Sequence, residues 1–441
     1  MKRRFLAPLS LVALSFSTPA SASLSPAEQA MIRTVDAEQG RTTAFLQRIV
    51  NQNSGTMNLA GVEAVRRMVE PEFQALGFKT QWIDMKAAGR AGHLVARHGG
   101  SRRGKRLLLI AHIDTVFEPD SPFQRWTLEG TRARGPGAGD DKGGVAVILA
   151  ALRAMQAAGT LDKANITVFL TGDEEDAGSP LAISRRDLVA EGRKADVALD
   201  FETLAQENGL DMGSTARRSA GSWTVTVTGR SAHSAGVGVN NYGAIYELAR
   251  IIDQFRRELP EEKLTYNVGL IGGGQTARLD ADRIRLEATG KTNIVAATAV
   301  ARGDLRAISP EQIERTRAKM RAIVAQPIAG ARAEISFDDD GYPPMPPTEA
   351  NRALLARLNA VNADMGLALM GELDPAKRGA GDISFVAADV DGLVGLGPAS
   401  DGAHTANETV DLPSIFKQAK RAAILMSRLV NERRSARRRL R

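Results

Sequence analysis

The sequence predicts an α/β protein, a doubly wound layer on a mixed sheet with a smaller α+β unit inserted into it. Three observations lead there. Up to residue 216, continuous apolar runs of the kind buried on both faces of a sheet alternate with helical segments. The texture then changes to the half-exposed alternation Ser-Trp-Thr-Val-Thr-Val-Thr over Ser222 to Thr228. Helix and strand return after the turn Asp338-Asp339-Asp340-Gly341 and the prolines between Pro343 and Pro347. A chain of 441 residues is long enough for two domains.

Taken in order, Lys2, Arg3 and Arg4 precede the mostly apolar stretch Phe5 to Phe16, and Ala20-Ser21-Ala22 follows as a small-residue cleavage site. This is a secretory signal peptide, cut after Ala22, which implies a secreted, periplasmic protein. The apolar run is too short for an ordinary span, so no membrane span is expected after cleavage. Ser25-Pro26 starts a helical stretch expected to reach Val50, with Gly40 inside it. A second helix places Val62, Val65, Val69, Phe73 and Leu76 on one face, is expected to kink or split at Pro71, and stops at Gly77. Leu107-Leu108-Leu109-Ile110 marks a buried strand over Arg106 to Ala111. Gly143 to Ala158 reads as a buried helix, and Asn165 to Leu170 and Ala195 to Phe201 as strands.

In the insert, Ser222 to Thr228, Arg283 to Ala288, Thr298 to Ala307 and Ala331 to Phe337 are expected strands. Asn240 to Leu259 and Pro310 to Ala325 are expected helices. The division is therefore 1–22 for the leader, 23–216 and 339–430 for the α/β layer, 217–338 for the insert and 431–441 for a basic tail.

The net charge of +7 sits at the ends. Three basic residues in the leader and a net of five in the tail leave about −1 for the body, which argues against a nucleic-acid surface. Cysteine is absent, which excludes disulfides and a thiol nucleophile.

Five short polar segments follow apolar or glycine-rich runs: His112-Ile113-Asp114, Asp140-Asp141-Lys142-Gly143, Asp173-Glu174-Glu175, Asp200-Phe201-Glu202 and Ala403-His404-Thr405. The ends of strands in open α/β sheets are where ligands bind. Imidazoles and carboxylates gathered there suit a pair of zinc ions. Asp114 lies two positions from His112 in extended chain, on the same side, so it can fix the tautomer of the ring. The glycines from Gly135 to Gly139 allow a tight turn, but an acidic pair where a phosphate would sit excludes a phosphate-binding loop. One of Glu174 and Glu175 can bind metal while its neighbour stays free as a base. Asp200 and Glu202 share one side of their strand, and either can reach the site. His93 and His98 receive no role.

Together these residues resemble, in order and over nearly the whole mature chain, the zinc aminoacylase/glutamate-carboxypeptidase family of metallopeptidases. The resemblance implies a catalytic layer that carries an inserted lid and dimerisation domain, hence a homodimer, and two Zn²⁺ ions per subunit. It implies that Asp140 bridges the ions, that His112 and Glu202 complete one site, and that Glu175 and His404 complete the other. Glu174 is then the general base, and Asp114 orients His112. His233, in Gly229 to Gly236, would reach the partner subunit's site. Asn293 and Arg306 would hold the substrate, Arg306 on a terminal carboxylate. Lys377 to Asp382 match the family's glycine-rich substrate loop only loosely. A cis Asp140-Asp141 peptide is also expected.

The activity implied is hydrolysis of an amide beside a free C-terminal carboxylate, in a peptide or N-acyl amino acid. An N-acyl-amino-acid deacylase or a dipeptidase would use the same site. A ligand-binding protein that had lost catalysis would lack Glu174 or a ligand, and none is missing.

Overall fold

The apolar run Leu107–Ile110 lies in the strand Arg106–His112, inside a six-stranded sheet. Successive side chains of a strand point to opposite faces. Leu107, Leu109 and Ala111 accordingly join one hydrophobic cluster, and Leu108 and Ile110 another. The computed structural model describes residues 24–101, 103–238 and 240–434. The expected leader (1–22) and residues 435–441 of the tail lie outside the described residues.

In spatial order the sheet runs Lys79–Asp84, Gly92–His98, Asn165–Thr171, Arg106–His112, Val197–Asp200 and Gly392–Val394. The first three strands pair antiparallel and the last four are mutually parallel. The sheet is mixed, as expected, and the C-terminal ends of the four parallel strands share one edge. Helix Lys142–Ala157, almost entirely buried, packs between the sheet and helices Pro26–Ala37 and Leu412–Asn431. Arg186–Lys194 and the short helix Asp382–Phe385 contribute Leu188 and Ile383 to the other face.

The second sheet takes the order Thr265–Gly274, Thr298–Arg306, Gly221–Gly229, Ala331–Phe337 and is antiparallel throughout. Trp223, Val225 and Val227 point to helices Ala244–Glu258 and Pro310–Val324 and form a separate core with Leu248, Ile251, Phe255 and Met320. The chain enters and leaves this unit along two adjacent connections, with Ala220 bridged to Tyr342 and Arg217 to Met345.

Several local expectations are corrected. The first helical stretch is two helices, Pro26–Ala37 and Gln39–Val50. They part at Glu38 rather than at Gly40, which lies inside the second. The Ser25–Glu28 capping box holds the start of the first. Helix Leu59–Ala75 runs through Pro71 without splitting, because Pro71 faces solvent while Val62, Val65, Val69 and Phe73 stay buried on both sides of it. The expected strand Arg283 to Ala288 is displaced. Asp280 accepts from Ile284 N and Arg285 N in a turn with Arg283 at positive φ, and Leu286–Thr289 then pairs with Thr276–Leu279 in a ribbon of its own. The helix expected from Asn240 begins at Ala244, because Gly243 adopts φ +82°. Strands Lys79–Asp84, Gly92–His98 and Thr265–Gly274 have no counterpart among the expected elements.

Trp223 fills the centre of the second core. It is fully buried, edge-on to Phe255 with 5.6 Å between ring centroids. Trp223→Ala should destabilise the inserted unit by about 3–5 kcal/mol. Chemical denaturation would read this, and a loss below about 1 kcal/mol would contradict this placement of the core.

Candidate metal and catalytic site

Four polypeptide segments meet at the shared edge of the parallel strands, and a fifth covers them. His112 ends its strand, and its Nε2 lies 3.1 Å from Asp140 Oδ1. The turn before helix Lys142–Ala157 carries Asp140, made possible by Gly137 at φ +75°. The Asp140–Asp141 peptide is cis, as expected. Glu408, which sequence reasoning missed, accepts from Gly139 N at 3.0 Å and Asp140 N at 3.2 Å and so holds this turn. Lys142 is fully buried and donates from Nζ to the Gln52 carbonyl at 2.9 Å. Burial lowers its pKa to about 7.

Beyond strand Asn165–Thr171, Glu175 extends toward the loop that carries His404. His404 Nε2 lies 3.2 Å from Glu175 Oε2 and 3.3 Å from Asp140 Oδ2. Asp140 thus stands between two imidazoles. Burial alone would raise its pKa, but hydrogen bonds to His112 and His404 hold its carboxyl far below the usual range. Burial likewise opposes charge on His112, yet Asp114 and Asp140 raise its pKa well above the usual value. His404 adopts φ +62°, uncommon for a non-glycine residue and typical of a strained functional position.

Asp114 does more than the motif implied. His112 Nδ1 is 3.2 Å from the Asp114 carbonyl oxygen and 3.4 Å from its Oδ1. The same carboxylate accepts from Thr56 Oγ1 at 2.7 Å and from the backbone N–H groups of Glu174 and Glu175, each at 3.1 Å. One buried acid therefore fixes the ring of His112 and the turn that presents both glutamates.

Ligand atoms of His112, Asp140 and Glu175 lie within 4.8 Å of one another, and His404 adjoins them. Two imidazoles and two carboxylates converging on one point are a donor set that fits zinc. Glu202 lines the same cavity, but its Oε2 accepts from Arg217 Nη1 at 2.7 Å, and Arg378 Nη2 stands 3.4 Å away. Asp200 is buried behind it, with Oδ1 accepting from Glu202 N at 3.2 Å. Of the two acids left open by the sequence, Glu202 is the one that borders the cavity. That cavity, of about 510 Å³, is also lined by Glu174, Lys377 and Arg378. Burial pushes the Glu174 carboxyl well above the usual carboxylate range.

Arg306, His233 and Asn293 lie on the inserted unit. Arg306 ends strand Thr298–Arg306 and donates from Nε to Asp304 Oδ2 at 2.8 Å. Its Nη1 is 4.0 Å from where a Cβ on Gly379 would stand, so it abuts the segment 377–382. His233 and Asn293 are neighbours, since Ser234 N donates to the Asn293 carbonyl at 2.9 Å and His233 is bridged to Ile294. Neither lines the cavity. His93 and His98 bond the carbonyls of Ser184 and Ala164 and have structural roles. Arg185, Arg217, Tyr342, Arg378, Asp382 and Glu408 escaped the sequence reading. Of these, Arg378 and Asp382 lie in the quoted segment 377–382 without being assigned roles.

Comparison with known proteins adds to this geometry. The sequence pattern of peptidase family M20/M25/M40 matches residues 108–428. Carboxypeptidase G2 of Pseudomonas sp. (strain RS-16) is 34% identical over 223 residues, 49% of this chain and 51% of that protein. The first curated relatives are thus matched over about half their length. Succinyl-diaminopimelate desuccinylase of Azoarcus sp. (strain BH72) is 24% identical over 86% of this chain and 95% of its own. A dinuclear metal-binding peptidase from Bacillus subtilis shares the fold, with a TM-score of 0.62 at 14% identity over 90% of this chain and 99% of that one.

Asp114→Ala should weaken metal binding about 10- to 100-fold, because it frees the ring of His112 and the turn that bears Glu175. Competition with a chromophoric chelator measures this, and an unchanged affinity would remove Asp114 from the support of the site.

Proposed function

The chain belongs to peptidase family M20/M25/M40, and we propose that it is a di-zinc exopeptidase, carried to the periplasm by the leader expected at residues 1–22. It hydrolyses an amide beside a free C-terminal carboxylate in the manner of a glutamate carboxypeptidase. The observation that carries this reading is the convergence of His112, Asp140, Glu175 and His404 in a cavity that Glu174 also lines. Asp140 would bridge two zinc ions, with His112 and Glu202 holding one and Glu175 and His404 the other. When bound, the ions supply Lewis acidity at the scissile carbonyl and lower the pKa of water.

Glu174 takes a proton from the attacking water as oxygen adds to the carbonyl carbon. It returns that proton to the amine nitrogen as the C–N bond breaks. Asp114 keeps His112 and the Glu174 turn in register. Arg306, at the end of its strand and beside Gly379, binds the substrate's terminal carboxylate, for which a guanidinium is the best planar match. Asn293 assists it.

The proposed domain limits are 23–216 with 339–430 for the catalytic layer and 217–338 for the lid. The lid would also pair two subunits. Tyr242, Ile245, Tyr246 and Ile271 are exposed on it, and Thr265–Gly274 is an edge strand. His233 would then serve the partner subunit's site. Among the described residues no helix is long and apolar enough to cross a membrane. Deacylase or dipeptidase action would use the same residues, and the substrate decides between them.

A panel of N-acyl amino acids and dipeptides, offered to the zinc-loaded protein and to Glu174→Ala, tests the reading. The variant should lose roughly 10²- to 10⁴-fold in kcat with its zinc content unchanged. Equal turnover by both proteins would remove Glu174 as the base. No turnover by the zinc-loaded wild type would point to a binding protein or to a substrate outside the panel. Arg306→Ala should raise KM about tenfold or more for substrates with a free carboxylate. It should leave KM unchanged for their C-terminal amides, and an equal effect on both would sink this role.

A further inference from the structure

Tyr342 has no part in the mechanism above, yet its contacts lead directly to the base. It lies in the connection by which the chain leaves the inserted sheet, after strand Ala331–Phe337 and before helix Glu349–Asp364. This connection runs beside the entry connection. The entry connection reaches the cavity through Arg217, which donates to Glu202 at 2.7 Å, and the exit connection meets the backbone of Glu174 through Tyr342. The Tyr342 hydroxyl donates to the backbone carbonyl of Glu174 at 2.7 Å and accepts from Arg185 Nη2 at 3.1 Å.

Arg185 is itself fixed on every side. Its Nη1 donates to Asp173 Oδ1 at 2.6 Å, its Nη2 to the Asp173 carbonyl at 2.9 Å and its Nε to Asp382 Oδ1 at 2.8 Å. The Tyr342 ring packs against Phe385, with 4.8 Å between centroids. The hydroxyl is therefore held in place from a rigid buried network, with its proton directed at one carbonyl.

We propose that Tyr342 is a positioning residue for the general base. This rests on the reading of Glu174 as that base. The Glu174 N–H is held by Asp114 and its carbonyl by Tyr342, so the backbone of the residue is clamped at both ends. One end of the clamp belongs to the support of His112. The other belongs to the chain's return from the lid. The direction of the Glu174 carboxylate is thereby tied both to the metal ligands and to the seat of the inserted unit. Small displacements of a reacting group are costly, since a misplacement of about 1 Å can lose about 100-fold in rate.

Tyr342→Phe in the zinc-loaded protein tests this. The variant removes the hydroxyl and leaves the ring against Phe385. Arg185 Nη2 keeps its bond to the Asp173 carbonyl. With the best substrate of the panel, kcat should fall roughly tenfold to a hundredfold. KM and zinc content should stay at their wild-type values, and the thermal midpoint should fall only modestly, as for the loss of one buried hydrogen bond. An unchanged kcat overturns the proposal. So does a loss carried by KM or accompanied by loss of zinc, each of which would make Tyr342 a substrate contact or a support of the metal site. Glu174→Ala, measured alongside, separates the two levels. If that variant is inactive while Tyr342→Phe behaves as wild type, only the positioning role fails. If it stays active, the reading of the base fails.

Discussion

Asp140, Asp173, Glu175, Asp200 and Glu202 are brought to one edge of one sheet, where little water reaches them. Leaving even one such group charged and unpaired costs several kcal/mol. The arrangement of the site follows from meeting that cost. Asp140 and Glu175 are met by His404, and Asp140 also by His112. Asp173 and Asp382 share Arg185. Asp200 and Glu202 share Arg217. The compensating groups come from remote segments: a helix after the acidic turn, the entry to the inserted unit, and a loop near the end of the chain. The loops must close over the strand ends for the acids to be tolerated at all. Where compensation is incomplete, protonation shifts, and burial pushes Glu408 up to about 7.

The fold class was legible because its signals are local. A four-residue apolar run with opposite neighbours in two clusters, or Trp-Thr-Val-Thr-Val with one face buried, announces its own environment. The edge strands Lys79–Asp84 and Thr265–Gly274 were missed because they mix polar residues or glycine into a half-exposed pattern, which resembles loop. Pro71 misled in the opposite direction, since the packing of its helix outweighs one lost backbone bond.

The acids and histidines of the site were legible for a related reason. Each is a polar residue just past an apolar or glycine-rich run. Arg185, Arg217, Tyr342 and Glu408 carry no such mark. They sit in helices, turns and connections where an arginine or tyrosine is ordinary, and they acquire meaning only from neighbours far away in sequence. Asp114 shows both sides of this. Its relation to His112 is a spacing of two residues. Its hold on the backbone of Glu174 and Glu175 crosses to another strand end, which spacing cannot express.

The order of the strands also has a bearing on how the molecule assembles. The four strands of the second sheet and the helices Ala244–Glu258 and Pro310–Val324 all fall between Gly221 and Phe337, so this core can close from contiguous chain. The surrounding layer cannot. Its edge strand Gly392–Val394 and the helix Leu412–Asn431 that covers Lys142–Ala157 come only after the inserted unit, and His404 lies between them. Contacts of such long sequence separation form late. The inserted unit can therefore close on its own, while the active centre waits for His404 and the sheet edge beneath it stands open.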